Sequence, residues 1–170
     1  TGGGAFELSL QPNAYLNLTD ADYYTNSKFG VSDQGKYVFL EGGPSAKLHV
    51  HANNNFSPTS KTTINLSASQ SPLNGKGVLF IEGNQAYVSA GAFGLLEFDL
   101  SANSGTPVQS FDAGGNGFVN GVGADNEFVY VANGNDGMII INRSDFVQRA
   151  VFSFTGSANN AGANGQNVFI

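Results

Sequence analysis

The sequence predicts an all-β chain built from a repeated four-stranded antiparallel meander, and three observations predict it. Hairpins of one shape recur along the chain, apolar and polar residues alternate at the two-residue period of strands, and no stretch carries helical periodicity. The clearest hairpin runs over 86–100, where Tyr87-Val88 leads through Gly91 and Gly94 to Leu95-Leu96-Glu97-Phe98. A second runs over 129–142, from Tyr130-Val131 through Gly134 and Gly137 to Ile139-Ile140-Ile141. A looser copy runs from Tyr37-Val38 through Gly42-Gly43 to Leu48-His49-Val50. Tyr37 to Leu48, Tyr87 to Phe98 and Tyr130 to Ile141 are each eleven residues apart.

Each hairpin is flanked by two more strands. A strand with small residues precedes it: Phe29-Gly30-Val31-Ser32, Val78-Leu79-Phe80-Ile81, or Val119 to Ala124 with Gly121 and Gly123. Small residues suit a crowded position where backbones approach closely. An alternating strand follows it: Thr63 to Ser67, Val108 to Asp112, or Val151 to Thr155, the pattern of an outermost strand with one face in contact. At the C-terminus Asn167-Val168-Phe169-Ile170 begins another hairpin. Phe6-Glu7-Leu8-Ser9-Leu10 and Tyr15-Leu16-Asn17-Leu18 match the second half of one. The units are 26–68, 76–113, 117–156, and 158–170 with 1–22, within a single domain over 1–170.

Radially repeating meanders of roughly 40 to 50 residues are the signature of a β-propeller. The pattern Tyr-Val-x-x-Gly-x-x-Gly-Leu/Met-x-x-Phe/Ile-Asp/Asn at 87–100 and 130–142 resembles the LVIVD-type surface propeller repeats and is similar to YVTN repeats. The resemblance implies a β-propeller-type array with about four blades' worth of strands, one split between the chain ends. It also implies an exported protein of extracellular, cell-surface or periplasmic location, bacterial in type. Propellers of that kind carry more blades, so three arrangements stay open: an excerpt of a larger propeller, a half-ring completed by a second copy, and a closed four-bladed ring. An uncovered blade edge is a liability in each.

Composition narrows the function classes. With 7 Lys+Arg against 13 Asp+Glu, a net charge of −6 and basic residues scattered singly, nucleic acid is not an expected partner. Disulfides, thiolate metal sites and cysteine nucleophiles fall together because there is no Cys. No apolar run reaches the roughly 18 residues of a membrane helix. The opening Thr1-Gly2-Gly3-Gly4 has neither the basic nor the apolar stretch of a secretion signal, so an exported form would be a mature one.

The chemistry-bearing motifs are few. No Gly-x-Ser-x-Gly elbow, His-Glu-x-x-His or phosphate-binding loop is present. His49 and His51 share a strand face, but with no third ligand they read as solvent-facing side chains opposite Leu48 and Val50. Asn133-Gly134-Asn135-Asp136-Gly137 looks like part of a calcium loop but lacks its terminal Glu, and a tight turn explains it better. No cofactor is expected, calcium being the one alternative. The sequons at Asn17, Asn55, Asn65 and Asn142 read as surface polar positions.

Propeller geometry is the better guide, because the loops between second and third strands, and those leading to the next blade, gather at one face. They carry Asn26, Lys28, Glu41, Lys76, Phe93, Asn120, Asn135, Asp136 and Asn160 as candidate ligand-binding residues. The expected function is a non-enzymatic binding or scaffold module taking a protein or glycan partner there. The alternative is a lactonase-like or carbohydrate-active enzyme using loop carboxylates such as Glu41 and Asp136.

Overall fold

The computed structural model describes residues 28–31, 36–41, 46–54, 57–66, 78–114, 118–164 and 167–170. They form strands only, fourteen of them. The first sheet comprises β1 (Lys28–Val31), β2 (Lys36–Glu41), β3 (Lys47–Asn54) and β4 (Ser57–Asn65). The second comprises β5 (Leu79–Glu82), β6 (Gln85–Ser89), β7 (Leu95–Asp99) and β8 (Gln109–Phe111). The third comprises β9 (Gly121–Ala124), β10 (Phe128–Ala132), β11 (Met138–Asn142) and β12 (Gln148–Phe152). A last hairpin pairs β13 (Gly162–Asn164) with β14 (Asn167–Phe169). Strands follow chain order in every sheet and all pairs are antiparallel, so each full sheet is a meander.

The sheets stack face to face as blades. Contacts between neighbouring blades centre on the first strands, β1 on β5, β5 and β6 on β9, and β9 on β13. The glycines of β1 and β9 are needed there: a side chain at Gly30 would meet the Ile81 side chain at 2.7 Å and one at Gly123 the Ala161 carbonyl oxygen at 2.6 Å. The expectation of small residues at a crowded inner position thus holds for these two strands, whereas β5 carries Leu79, Phe80 and Ile81. Three apolar layers fill the gaps. Val38, Leu40, Leu48, Ile64, Val88, Leu96 and Phe98 lie between the first and second blades. Tyr87, Leu95, Val129, Val131, Ile139, Ile141 and Phe146 lie between the second and third. Tyr130, Ala132, Met138, Ala158 and Ala161 join the third to the last hairpin.

The second and third blades share one turn. In the loop 90–94 the Ala90 amide donates to the Gly94 carbonyl at 2.8 Å, and in 133–137 Asn133 does the same to Gly137 at 2.8 Å. Gly94 and Gly137 have φ of +80° and +92°, and a side chain on either would run into the carbonyl oxygen of the outermost strand, Phe111 or Phe152, at 2.1 Å. Only glycine meets both demands. Gly91 and Gly134 then bridge to Val119 and Ala158, tying each turn to the chain entering the next blade.

Three expectations change. Tyr87 faces Glu97 and Tyr130 faces Ile140, whereas Tyr37 faces His51 and Phe39 faces His49, so the first hairpin's counterpart of the two tyrosines is Phe39. The eleven-residue match at Tyr37 was therefore two residues out, a slip that preserves the face because strand side chains alternate. His49 and His51 are buried, at 5% and 3% exposure, not solvent-facing. His49 sits between the Glu41 carboxylate, 3.0 Å from Nε2, and the Thr63 hydroxyl, 3.2 Å from Nδ1, while His51 lies edge-on to Phe39. The third outermost strand is Gln148–Phe152 rather than 151–155 and has little buried on either face, with Val151 and Phe152 about half exposed.

In the last hairpin Phe169 faces Gly162 as Tyr130 faces Gly123. The segment 1–22, expected to complete this blade, lies outside the described residues, as do Asn26 and Lys76.

Candidate functional site

Antiparallel meanders place successive turns at alternate ends of each blade. At one end lie the turns 90–94 and 133–137; at the other lie the β5–β6 turn at 83–84, the β9–β10 turn at 125–127 and the β11–β12 turn at 143–147. The described residues among those selected from the sequence belong to the first end. Lys28 opens β1 opposite Leu40, and Glu41 closes β2. Glu41 is occupied, with His49 at 3.0 Å and Lys47 at 3.9 Å. Phe93 projects from its turn at 40% exposure, and Asn135 and Asp136 are exposed on theirs. Asn120 serves the fold, its Nδ2 donating to the Ala158 carbonyl at 3.0 Å. Asn160 is exposed, its Oδ1 accepting from the Ala161 amide at 2.9 Å. Of this set, the structure brings Asn120 close to the turn bearing Asn135 and Asp136, because its Nδ2 lies 3.5 Å from where a side chain on Gly134 would begin. Within that turn Asn133 is buried and its Oδ1 has no partner among the described residues. Among the described residues no cluster of three or more His, Cys, Asp or Glu side chains is placed to hold a metal.

The opposite end carries a polar network that the sequence did not disclose. Glu97, in the middle of β7, is 2% exposed. Its carboxylate accepts from Gln85 Nε2 at 2.7 Å and from Gln109 Nε2 at 3.0 Å. From the third blade, Arg143 reaches across and donates through Nε to the Tyr87 hydroxyl at 2.8 Å. Its terminal nitrogens donate to Glu82, to Gln85 Oε1 and, at 2.8 Å, to the Asp125 carbonyl. The guanidinium carbon lies 5.6 Å from the Tyr87 ring centroid, and Phe146 stacks on that ring at 6.4 Å. Phe146 takes φ +54°, a conformation that L residues seldom hold, to turn its ring inward.

Electrostatics follow from this burial. Desolvation pushes the Glu97 carboxyl above its ordinary range, against the pull of the two amides and Arg143. Desolvation, with Glu97 beside it, pushes the Tyr87 phenol up to about 12. Burial opposes the charge on Arg143, but Tyr87 and Glu82 outweigh it and keep the guanidinium firmly protonated. On the far side of β10, Tyr130 is also pushed up to about 12, by burial and by donating to Asp125 at 2.7 Å.

Two cavities open over this network. One of about 620 Å³ is lined by Gln85, Gln109, Asn126, Glu127, Asn142, Arg143 and Ser144. The other, about 350 Å³, shares Gln85 and Gln109 and reaches Asn84, Glu97 and Asp99.

No family model matches the chain, and no curated protein does. Solved structures do. BamB from Moraxella catarrhalis superposes with a TM-score of 0.52 at 17% identity over 74% of this chain and 35% of its own. Apo AztD from Citrobacter koseri superposes with a TM-score of 0.54 at 15% identity over 78% and 36%, and a further AztD structure from that organism at 0.50 and 13%. Both are β-propeller proteins. The chain has the β-propeller fold. It spans about a third of the length of the solved structures it matches.

Proposed function

We propose that the chain forms blades of a non-enzymatic binding module in an exported protein, with LVIVD-type surface repeats and a protein or glycan partner at the end bearing Phe93, Asn135 and Asp136. The observation that carries this reading is the blade stack itself: rigid sheets whose turns are pinned to the next blade and present one exposed aromatic among polar side chains. The fold shared with BamB and AztD supports a scaffold of this class and an extracellular, cell-surface or periplasmic setting. The loop carboxylates favour binding over catalysis. Glu41 is already paired with His49 and sits on a different blade from Asp136.

A screen of the whole chain against glycan and peptide libraries tests the reading. Hits lost on replacing Phe93 and Asp136 together by Ala support it; hits indifferent to that pair overturn the placement of the site. A turnover that disappears with Glu41→Gln and Asp136→Asn would establish the enzyme instead. The reading needs no metal, so calcium added after chelation should leave Tm unchanged; a rise would assign an ion to the turn holding Asn133 Oδ1.

A further inference from the structure

We infer that the cleft between the second and third blades is a binding site for a neutral polyhydroxylated ligand, a saccharide unit, at the end of the blades opposite the turns that carry Phe93 and Asp136. This inference stands apart from the proposed partner face, since it uses none of the same residues.

Three observations carry it. The larger cavity, about 620 Å³, is lined chiefly by the amides Gln85, Gln109, Asn126 and Asn142. An unbonded amide offers a donor and an acceptor side by side, which is what a pair of neighbouring hydroxyl groups requires. Asn126 is of this kind, whereas Gln85 is bonded at both ends and Asn142 Oδ1 accepts from Ser144. Gln109 Oε1 and the side chain of Asn126 have no hydrogen-bond partner among the described residues, so these groups face the cavity unspent.

The second observation is preorganisation. Glu97 accepts from the Nε2 groups of both Gln85 and Gln109, which fixes which end of each amide points inward. The carbonyl of Gln85 is taken by Arg143, and that of Gln109 is left for a ligand donor. Blade packing does not require a carboxylate at this place. The positions matching Glu97 in the first and third blades are His49 and Ile140, because each faces the Phe39, Tyr87 or Tyr130 of its own hairpin. A buried carboxylate costs stability unless its bonds are worth having, so its presence here marks the amides it orients.

The third observation is charge. Arg143 is already engaged by Glu82, Gln85, Tyr87 and the Asp125 carbonyl, and Glu127 stands exposed at the rim. Among the described residues that line it, the larger cavity therefore has no spare cation for a phosphate or carboxylate, and Glu127 repels one. A neutral ligand remains.

The test is side-chain amide NMR of the whole chain, titrated to about 50 mM, well above millimolar affinity, with cellobiose, chitobiose, lactose and trehalose, and in parallel with glucuronate and glucose 6-phosphate. The expected result is saturable shifts of the Gln109, Asn126 and Asn142 amides with at least one neutral sugar and weaker shifts with both anions. Asn126→Ala, at an exposed position whose loss leaves the fold intact, should weaken that binding by about fivefold, and Gln109→Ala by more. Phe93→Ala should leave it unchanged. The inference is overturned if no neutral sugar moves these amides, if the anions bind as well, if Asn126→Ala and Gln109→Ala bind like the parent, or if the shifts fall in the turns 90–94 and 133–137. In that last case the partner face proposed above would stand while this cleft would not.

Discussion

The two principal blade interfaces share one architecture and differ in chemistry. Between the first and second blades every buried side chain of the cluster is apolar, with Val38, Leu40, Leu48, Val88 and Phe98 at 1% exposure or less. Between the second and third, an equally apolar layer ends in Tyr87, and beyond it Arg143 crosses from one blade to the other above a buried Glu97. The stack therefore depends on volume and pattern, which both interfaces supply. Polar groups cross both interfaces at that end, Lys36 donating to Asn84 from the first blade and Arg143 reaching the second from the third, but only Arg143 does so above a buried carboxylate. Such a network is costly unless every member is bonded, and here the Glu97 oxygens and the Arg143 nitrogens each find a partner.

Truncation should separate the two interfaces. Leu48→Ala, in the wholly apolar layer, is expected to cost about 3 to 4 kcal/mol in a denaturant titration, the loss being independent of pH. Arg143→Ala should cost somewhat less, about 2 to 3 kcal/mol, because the guanidinium is partly exposed and water takes over some of its bonds. Arg143→Lys should recover little of it, since the fork serves four acceptors at once. A loss at Leu48 that varied with pH would break the distinction.

Alkali should act on the second interface and spare the first. Tyr87 has its phenol pushed up to about 12 from an ordinary 10, so the folded state holds the proton longer than the unfolded chain. Its contribution is complete below pH 10 and is lost as pH rises through 12, of the order of 2 kcal/mol in all. Tyr130 contributes with the same sign at the third interface. Stability measured between pH 9 and 12 should fall, and Tyr87→Phe should flatten part of that fall; an unchanged slope would remove Tyr87 from the account.

The smallest expected effect is at acid pH. Glu97 is held above its ordinary range, so its protonation stabilises the fold as pH drops towards 4.5, and Glu97→Gln should abolish that slight gain. Asp125, held below its range through the bond from Tyr130 and backbone amides although burial opposes it, works in the other direction below pH 4.

Much of the architecture was legible because it is written locally. Tyr87-Val88 and Tyr130-Val131 before a Gly-x-x-Gly turn specify a hairpin within fifteen residues, and the glycines are fixed by a backbone conformation and a carbonyl collision that leave no other choice. The first hairpin misled at Tyr37 because Phe39, two residues on, satisfies the same pattern; alternation kept Val38 and Leu40 on the correct face regardless. His49 and His51 were misplaced for a different reason. Polar residues alternating with Leu48 and Val50 suggest an exposed face, and a strand buried on both sides hides that cue.

The cleft left only one trace in the sequence. Arg143 meets Tyr87 across 56 positions and Gln85 across 58, and no spacing rule spans such a gap. One signal was present: Glu97 interrupts Leu95-Leu96 and Phe98 in the middle of a central strand, where a carboxylate is unexpected unless something answers it. The cross-strand partner that answers it, Gln109, is twelve residues away on the neighbouring strand.

Arg143 ties the third blade to the second through Tyr87 and the groups around it. A double-mutant cycle on Tyr87→Phe and Arg143→Met, read as unfolding free energy at neutral pH, measures that tie directly. A coupling of about 1 kcal/mol or more is predicted, because removing the hydroxyl removes what Arg143 Nε donates to. Additivity within about 0.3 kcal/mol would contradict it and reduce the polar network to decoration on an apolar stack.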